Sequence, residues 1–369
     1  MSSELRQRHS SGSAAPSLTE HRFDEKKQAR SRSRTGSSSK HHFKPVSKVD
    51  RYSVLLSSIL LSLLFVGNSF YPEYTKKFVN LQYEYPDNPG KYDIGIDDGY
   101  VILTFIVVFC LVRSFLLEFV LKPVGRNRFH MRSVKSLQRF GEQGWSMIYY
   151  LFSWIFGFYL YYHSPYYFNI DHIYSGWPHD QLSGLFKTYY LFQIASWFHQ
   201  IIVLNVEERR KDFWQMFAHH IITVALTTGS YYYYFTRIGN VILILMDIVD
   251  VLLSFAKMLK YCGYSTLCDY MFVVFLFWWV MLRHVVYNYL TYQTWLRAKN
   301  LMADGECIAG LAQKRCWTPT VVNIFLALLG GLQVITCIWM YLILKVLVKV
   351  IKGIGAEDVR SDEEDENSD

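Results

Sequence analysis

The feature of this sequence that most limits its fold is a series of long apolar segments. A helix needs about 20 mainly apolar residues to cross the hydrocarbon core of a bilayer. Eight stretches approach that length, near residues 52–70, 99–121, 145–163, 185–204, 213–236, 239–260, 270–292 and 320–347. Most connections between them are short, as in a helix bundle. The predicted fold class is therefore all-α, a polytopic membrane helix bundle of about eight transmembrane helices.

The charge of the chain is divided into blocks. Charged residues make up 19% of the sequence and hydrophobic residues 51%, which excludes a disordered chain, a coiled coil and a small disulfide scaffold. Within the net charge of +7, residues 1–51 hold 12 basic and 5 acidic residues, whereas residues 356–369 hold 8 acidic residues and one arginine. We therefore predict a disordered basic arm at 1–51, a first transmembrane helix and loop at 52–98, a transmembrane domain at 99–350 and an acidic tail at 351–369. Charge arranged in this way requires no nucleic-acid partner.

Lysine and arginine in the short loops predict the orientation of the bundle, because such loops favour the cytosolic side. The arm and the loop 122–144 are basic, so we expect them in the cytosol, whereas the loops 71–98 and 164–184 are net acidic and are expected on the far side. Eight crossings then return the acidic tail to the cytosol. The loop 293–319 breaks this pattern, since its basic residues outnumber its acidic ones; they are Arg297, Lys299, Lys314 and Arg315 against Asp304 and Glu306.

Both arms contain sequences that protein kinases favour. Thr35 and Ser37 follow a run of spaced arginines, and Ser361 precedes three acidic residues. Phosphate at these positions would change the charge of the arms. The alternative for the basic arm is a solvated segment that associates with lipid headgroups.

Two of the six cysteines, Cys307 and Cys316, share one predicted non-cytosolic loop. They could form a disulfide that closes a short loop if that side of the membrane is oxidising. Two unpaired thiols are an equally open interpretation.

The fifth, sixth and seventh apolar segments contain His, Asp and Arg, so we expect a strict hydropathy criterion to miss them. His219 and His220 lie in the fifth segment, and Asp247 and Asp250 lie in the sixth. Ionisable groups are costly inside a bilayer and therefore indicate a functional site. The two aspartates share one helix face because they are three residues apart. The adjacent histidines point about 100° apart, so one is expected to face the reaction and the other a neighbouring residue.

A histidine oriented by a carboxylate can act as a general base or as a nucleophile. Two alternatives stay open at this point. The His and Asp residues could form purely structural pairs, and a single zinc ion could be held by them. The sequence lacks the several histidine-rich boxes of di-iron membrane oxygenases, so no metal is predicted.

Residues 209–261 carry a series of short motifs in a fixed order. These motifs are R-K-D-F, H-H-I, S-Y, T-R-I-G, M-D-x-x-D and A-K-M. The series resembles the Lag motif of the TLC membrane family, in its ceramide synthase branch, and the resemblance extends over about residues 125–350. About thirty residues separate the first two helices, without the homeobox-like insert of many animal members, so the sequence is most similar to the fungal type.

The resemblance implies a six-helix TLC-type core preceded by an N-terminal helix or two. It also implies an endoplasmic-reticulum enzyme that joins the acyl group of a fatty acyl-CoA to the amine of a sphingoid base. His219, His220, Asp247 and Asp250 fall on the family's essential positions. No tightly bound cofactor is expected, because acyl-CoA is a co-substrate. Residues that could bind these substrates are Arg209, Arg210, Lys211, Lys257 and Arg283, although basic residues near a cytosolic membrane surface also follow from the orientation rule.

The fungal-type resemblance further suggests a very-long-chain acyl group and a homo- or hetero-dimer with a paralogue. It also suggests a small single-span accessory subunit, with the whole assembly in the lipid bilayer. Two functions of other classes are weighed against an enzyme: a non-catalytic TLC protein in lipid transfer, lipid sensing or translocon assistance, and an ion-coupled transporter. A transporter would favour internal repeats, and no convincing repeat is present.

Overall fold

The structure, a computed structural model, describes residues 46–207, 211–308, 313 and 315–352, and the regular secondary structure in this part of the chain is almost entirely helical. Its α-helices are α1 (Val46–Phe70), α2 (Pro72–Val79), α3 (Asp98–Arg128), α4 (Val134–Tyr162), α5 (Asp171–Tyr174), α6 (Gly184–Val206), α7 (Phe213–Tyr232), α8 (Thr236–Tyr261), α9 (Ser265–Leu301) and α10 (Pro319–Ile351). Two short strands, β1 (Lys91–Tyr92) and β2 (Leu182–Ser183), pair antiparallel. Helices α3 and α9 each contain a π-helical stretch, at Leu116–Leu121 and Val280–Val286.

Each of the eight predicted apolar segments is a long helix, so the all-α prediction is confirmed. Five of the helices are long and apolar enough to cross a membrane, namely α1, α3, α8, α9 and α10. The fifth, sixth and seventh segments were expected to fail a strict hydropathy criterion. This prediction is confirmed for α7 and wrong for α8 and α9, which satisfy the criterion. Helices α4 and α6 fall short instead, because they contain many residues of low hydropathy, such as Tyr149 in α4 and Gln193 in α6.

Helix α4 begins at Val134, inside the segment predicted as the loop 122–144. Its first three turns are polar, which lowers the mean hydropathy and hides the helix from an apolarity count. One face nevertheless buries Leu137 and Phe140, which pack against Met258 of α8. This amphipathic pattern is that of a helix at a protein surface rather than a loop.

The alternating helices place their connections at two ends of the bundle. We call one the sheet end, formed by residues 71–97, 163–183, 233–235, 302–308 and 315–318, and the other the basic end, formed by residues 129–133, 211–212 and 262–264. The sheet end contains a buried hydrophobic cluster, here called the sheet-end cluster. Its members are Tyr166, Ile173, Tyr174, Trp177, Tyr234, Phe235, Val241, Leu290, Ala298, Met302, Trp317 and Val322.

Ion pairs at the sheet end account for two of the four unexpected cations of the loop 293–319. The guanidinium of Arg315 pairs with both Asp93 and Asp180. Arg297 pairs with Asp171 at 2.8 Å. These carboxylates belong to the other sheet-end connections, so the two arginines are neutralised within the protein. Lys299 instead donates to the amide oxygen of Asn323 at 3.1 Å. Lys314 lies outside the described residues.

Candidate active site

Two cavities meet in the middle of the bundle. The inner cavity is almost entirely apolar and runs between α7, α8, α9 and α10 toward the sheet end, where it is bounded by members of the sheet-end cluster. The outer cavity is more polar and extends toward the basic end, between α3, α4, α6 and α7. Four residues line both cavities and so mark their junction: Trp197, His219, Asp250 and Arg283.

His219 of α7 lies at this junction between two indole rings. Its ring centroid is 5.5 Å from that of Trp197 on α6 and 5.2 Å from that of Trp339 on α10, and both contacts are edge-on. The Nδ1 atom of His219 is buried and has no hydrogen-bond partner among the described residues. Packing against the indoles therefore holds the ring in place while leaving this nitrogen without a protein partner.

His220 has different surroundings. It is buried, its Nδ1 lies 2.5 Å from the carbonyl oxygen of Met216, and its Nε2 lies 3.2 Å from Oε1 of Gln200. A neutral imidazole donates from only one nitrogen, so these two acceptors compete for its proton. The ring of His220 is thus fixed by hydrogen bonds to α6 and α7, and it lines only the outer cavity.

Asp247 is anchored by neighbouring helices. Its carboxylate is 1% exposed and accepts hydrogen bonds from the hydroxyl of Ser153 at 2.5 Å and from Nε2 of Gln193 at 3.4 Å. The amide of Gln193 is itself bonded to the hydroxyls of Tyr149 and Tyr189. Within the described part of the chain, the hydrogen bonds of Asp247 therefore go to α4 and α6, and none joins it to an imidazole.

Asp250 lies one turn further along α8 and pairs with Arg283 of α9. Its Oδ2 is 2.8 Å from Nη2 of the arginine, which also donates to the carbonyl oxygen of Met246 at 3.0 Å. The guanidinium packs 4.3 Å from the ring centroid of Trp279. Arg283 belongs to the π-helical stretch of α9, a feature common at functional sites. The predicted substrate-binding arginine thus contacts a carboxylate at the junction.

The remaining predicted residues are distributed around this centre. Lys257 lines the outer cavity, Lys211 is exposed just before α7, and the sulfurs of Cys307 and Cys316 are joined at the sheet end. The described ranges contain no group of three or more His, Cys, Asp or Glu side chains placed to hold a metal ion. Five predicted residues lie outside the part of the chain that the structure describes: Arg209, Arg210, Thr35, Ser37 and Ser361.

The sequence-based reasoning missed the residues of α6 that surround the site. Gln193, Trp197 and Gln200 all contact the histidines or Asp247. A usable signal existed, because polar side chains inside an apolar segment indicate function whether or not they are charged. Applying that rule to the amides of the fourth segment would have identified this helix as part of the site.

The fold and the site define a membrane helix bundle with a polar centre buried where two cavities meet. A family model described as the TLC domain matches residues 139–345 of the sequence. This chain belongs to the TLC domain family. The match lies within the segment 99–350 that was predicted as the transmembrane domain.

Several similar curated proteins come from fungi. The sphingosine N-acyltransferase-like protein ALT7 of Alternaria alternata is 40% identical over 308 residues, which cover 76% of this chain and 71% of the relative. The sphingosine N-acyltransferase lag1 of Schizosaccharomyces pombe is 38% identical over 294 residues, covering 80% and 74%. The ceramide synthase FUM18 of Gibberella moniliformis is 32% identical over 339 residues, covering 85% and 78%.

Proposed function

We propose that this protein is a ceramide synthase, which transfers the acyl group of a fatty acyl-CoA to the amine of a sphingoid base. The observation that carries the proposal is the junction at His219 between an apolar cavity and a polar one. A thioester of a fatty acid with coenzyme A is itself half apolar and half polar, and its reactive carbonyl lies at the boundary. The names of the fungal relatives support the same activity.

The acyl chain occupies the inner cavity in this proposal. The cavity follows α9 from Arg283 to Ala298, fifteen residues later, which at about 1.5 Å per residue is roughly 22 Å. Carbon–carbon bonds of about 1.5 Å at an angle of about 111° advance an extended chain by about 1.25 Å per atom. This distance corresponds to about 18 extended carbons up to the level of Ala298. A very-long-chain acyl group would have to bend or extend beyond it.

His219 is the residue that reacts with the thioester. We favour attack by an imidazole nitrogen on the carbonyl carbon, after which the carbon–sulfur bond breaks and CoA leaves as a thiolate that takes the imidazole proton. The lone pair of the neutral amine then attacks the acyl-imidazole, the carbon–imidazole bond breaks, and the amine proton returns to the ring. In the second version of the mechanism, the imidazole only removes the proton from the amine as a general base. The position of His219 at the junction supports either version.

The polar outer cavity is the place for the CoA moiety and the amine of the base. Its lining includes Lys257, which favours phosphate groups. It also includes the ion pairs Arg113–Glu207 and Arg283–Asp250, which present charges of both signs to the phosphates and to the ammonium group. The cavity opens toward the basic end, where we also place the cytosol.

Ceramide formation in a purified system tests the proposal. The protein in liposomes is given a fatty acyl-CoA and a sphingoid base, and ceramide is measured by mass spectrometry. We expect His219→Ala and Asp250→Ala to abolish the activity, while His163→Ala, at an exposed sheet-end position, retains it. Ceramide formation by His219→Ala at the wild-type rate would show that the site is wrong. No ceramide from the wild type would favour a non-catalytic TLC protein.

The covalent version has a test of its own. The protein is incubated with acyl-CoA alone, stopped in acid and digested, and the peptide that contains His219 is analysed by mass spectrometry. We expect an acyl adduct on that peptide and ping-pong kinetics. The absence of an adduct together with sequential kinetics would leave the general-base version.

We also propose an endoplasmic-reticulum membrane location with cytosolic N- and C-termini, and assembly as a homo- or hetero-dimer with a paralogue and a small single-span accessory subunit. The resemblance to the fungal branch supports the location and the assembly, and the basic end supports the orientation. Protease protection of terminal tags in microsomes tests the orientation. Protection of either tag in sealed microsomes would contradict the proposed orientation.

Co-purification from the native membrane, followed by intact-mass analysis, tests the assembly, and a single monomeric species would contradict it.

A further inference from the structure

Several N–H donors around His219 have no acceptor. Buried polar groups in folded proteins nearly always have a hydrogen-bond partner, and an exception calls for an explanation. The indole Nε1 atoms of Trp197 and Trp339 and the Nε atom of Arg283 are all buried without a partner among the described residues. All three residues line the outer cavity together with His219.

Other buried indoles in the described chain do not share this property. Nε1 of Trp177 donates to the carbonyl oxygen of Tyr233 at 3.1 Å, and Nε1 of Trp317 donates to that of Met302 at 2.7 Å. The fold therefore supplies acceptors for buried indoles elsewhere. The unpaired donors near His219 indicate that their acceptor belongs to a ligand.

The two cavities identify which of these donors is nearest the reaction. The carbonyl carbon of an acyl-CoA has to lie where the apolar cavity meets the polar one, and four residues line both. His219 reacts there, and Asp250 offers only acceptors when ionised, so the donors at the junction are Trp197 and Arg283. Trp339 has the same unpaired indole and a similar contact with His219, but it lines the outer cavity alone.

We propose that the indole N–H of Trp197, together with the Nε–H of Arg283, forms the oxyanion hole for acyl transfer. When a nitrogen lone pair attacks the thioester carbon, the carbonyl π electrons move to the oxygen, which becomes an oxyanion and accepts hydrogen bonds from both donors. The oxyanion then re-forms the carbonyl, the carbon–sulfur bond breaks, and CoA leaves as a thiolate. The thiolate takes the proton of the attacking nitrogen directly when His219 attacks, and through the imidazole of His219 when the amine attacks. This proposal rests on the proposed acyltransferase function. It holds whether the attacking nitrogen belongs to His219 or to the amine.

The substitution Trp197→Phe removes the N–H and keeps an aromatic ring. Removing one oxyanion donor typically lowers kcat by about 10²- to 10³-fold, and we expect a loss of about 10²-fold here. The KM for acyl-CoA and the binding of a non-reactive thioether analogue, which lacks the carbonyl, should change by less than about threefold, because the donor acts mainly in the transition state. Trp339→Phe is the matched comparison, with an expected loss of kcat below about tenfold.

A second variant distinguishes the effect of losing the N–H donor from the effect of losing the packing of the indole ring. Replacement of Trp197 by β-(3-benzothienyl)alanine keeps the bicyclic shape and exchanges the N–H for sulfur. We expect the same loss of kcat as in Trp197→Phe, with an unchanged melting temperature. Wild-type kcat in the benzothienyl variant, or equal losses in the variants at 197 and 339, would overturn the proposal. If the wild type itself makes no ceramide, the result contradicts the proposed acyltransferase function rather than the assignment of the oxyanion hole.

Discussion

A larger side chain at Ala298 should shorten the acyl group that the protein accepts. Ala298 is 0% exposed to solvent and lines the inner cavity at its sheet end. Thr294, which also lines the cavity, lies one turn earlier on α9. In Ala298→Phe the ring fills the cavity at the level of Ala298, so an acyl chain has to stop near the level of Thr294.

The size of the effect follows from the helix geometry. Four residues of α-helix correspond to about 6 Å. An extended chain advances about 1.25 Å per carbon, so about five terminal carbons of the acyl chain no longer fit in the cavity. Burial of one methylene group is worth about 0.8 kcal/mol, which gives about 4 kcal/mol for five of them. The longest acyl-CoA that the wild type accepts should therefore lose up to about 10³-fold in kcat/KM, at about 1.4 kcal/mol per factor of ten.

The assay is a series of acyl-CoA substrates that increase by two carbons, each given to the purified protein with one sphingoid base. Chains about five carbons shorter than the longest good substrate should keep kcat/KM within about threefold, because they end before the new ring. Ala225→Phe, the same change at an exposed position of α7, is the control. An unchanged length profile in Ala298→Phe, or a uniform loss at all lengths in a protein with an unchanged melting temperature, would refute the assignment of the inner cavity to the acyl chain.

Three further outcomes are expected. Ser153→Ala removes the 2.5 Å hydrogen bond to buried Asp247 and should destabilise the protein by about 1–3 kcal/mol. Ser146→Ala, whose hydroxyl donates to the backbone carbonyl of Glu142, is the control in thermal unfolding. Equal melting temperatures of the two variants would contradict the prediction. Non-reducing peptide mapping should recover Cys307 and Cys316 as one linked peptide, and two alkylated thiols would disprove the bond. Burial and the charge of Arg237 lower the pKa of His179 from 6.5 to about 4, so its stabilising contribution is present above pH 6.5 and is lost as the pH falls toward 4. At pH 5 the free energy of unfolding of the wild type should therefore be lower by about 2 kcal/mol than at neutral pH, a loss that His179→Gln should not show. Parallel pH profiles of the two melting temperatures would contradict this prediction.

The parts of the fold that the sequence could predict are those with a local signal. Eight helices were evident because apolar length is a property of each segment alone. The residues at the centre were also evident, because His219 and Asp250 are ionisable groups in apolar surroundings. The resemblance to a known family then added their chemistry.

The partners of those residues could not be predicted, because they come from distant segments. Asp247 bonds to Ser153, 94 residues away, and to Gln193, 54 residues away. No single segment shows that these residues meet. Trp197 was missed for a different reason, since an aromatic residue in an apolar helix is ordinarily core packing, and only its unpaired N–H distinguishes it. Likewise, the cations of the loop 293–319 contradict the orientation rule until Arg315 is seen beside Asp93 and Asp180.

The inner cavity is bounded at the sheet end by the cluster that contains Trp177, Phe235 and Trp317. If the acyl tail enters first through the junction, the two-tailed product has to withdraw along the same path or pass sideways between helices into the lipid. The substrate whose acyl chain fills the inner cavity best then gives the product whose acyl chain is most deeply buried there. We therefore expect the release of ceramide to limit turnover for the longest substrates, as product release does in many enzymes.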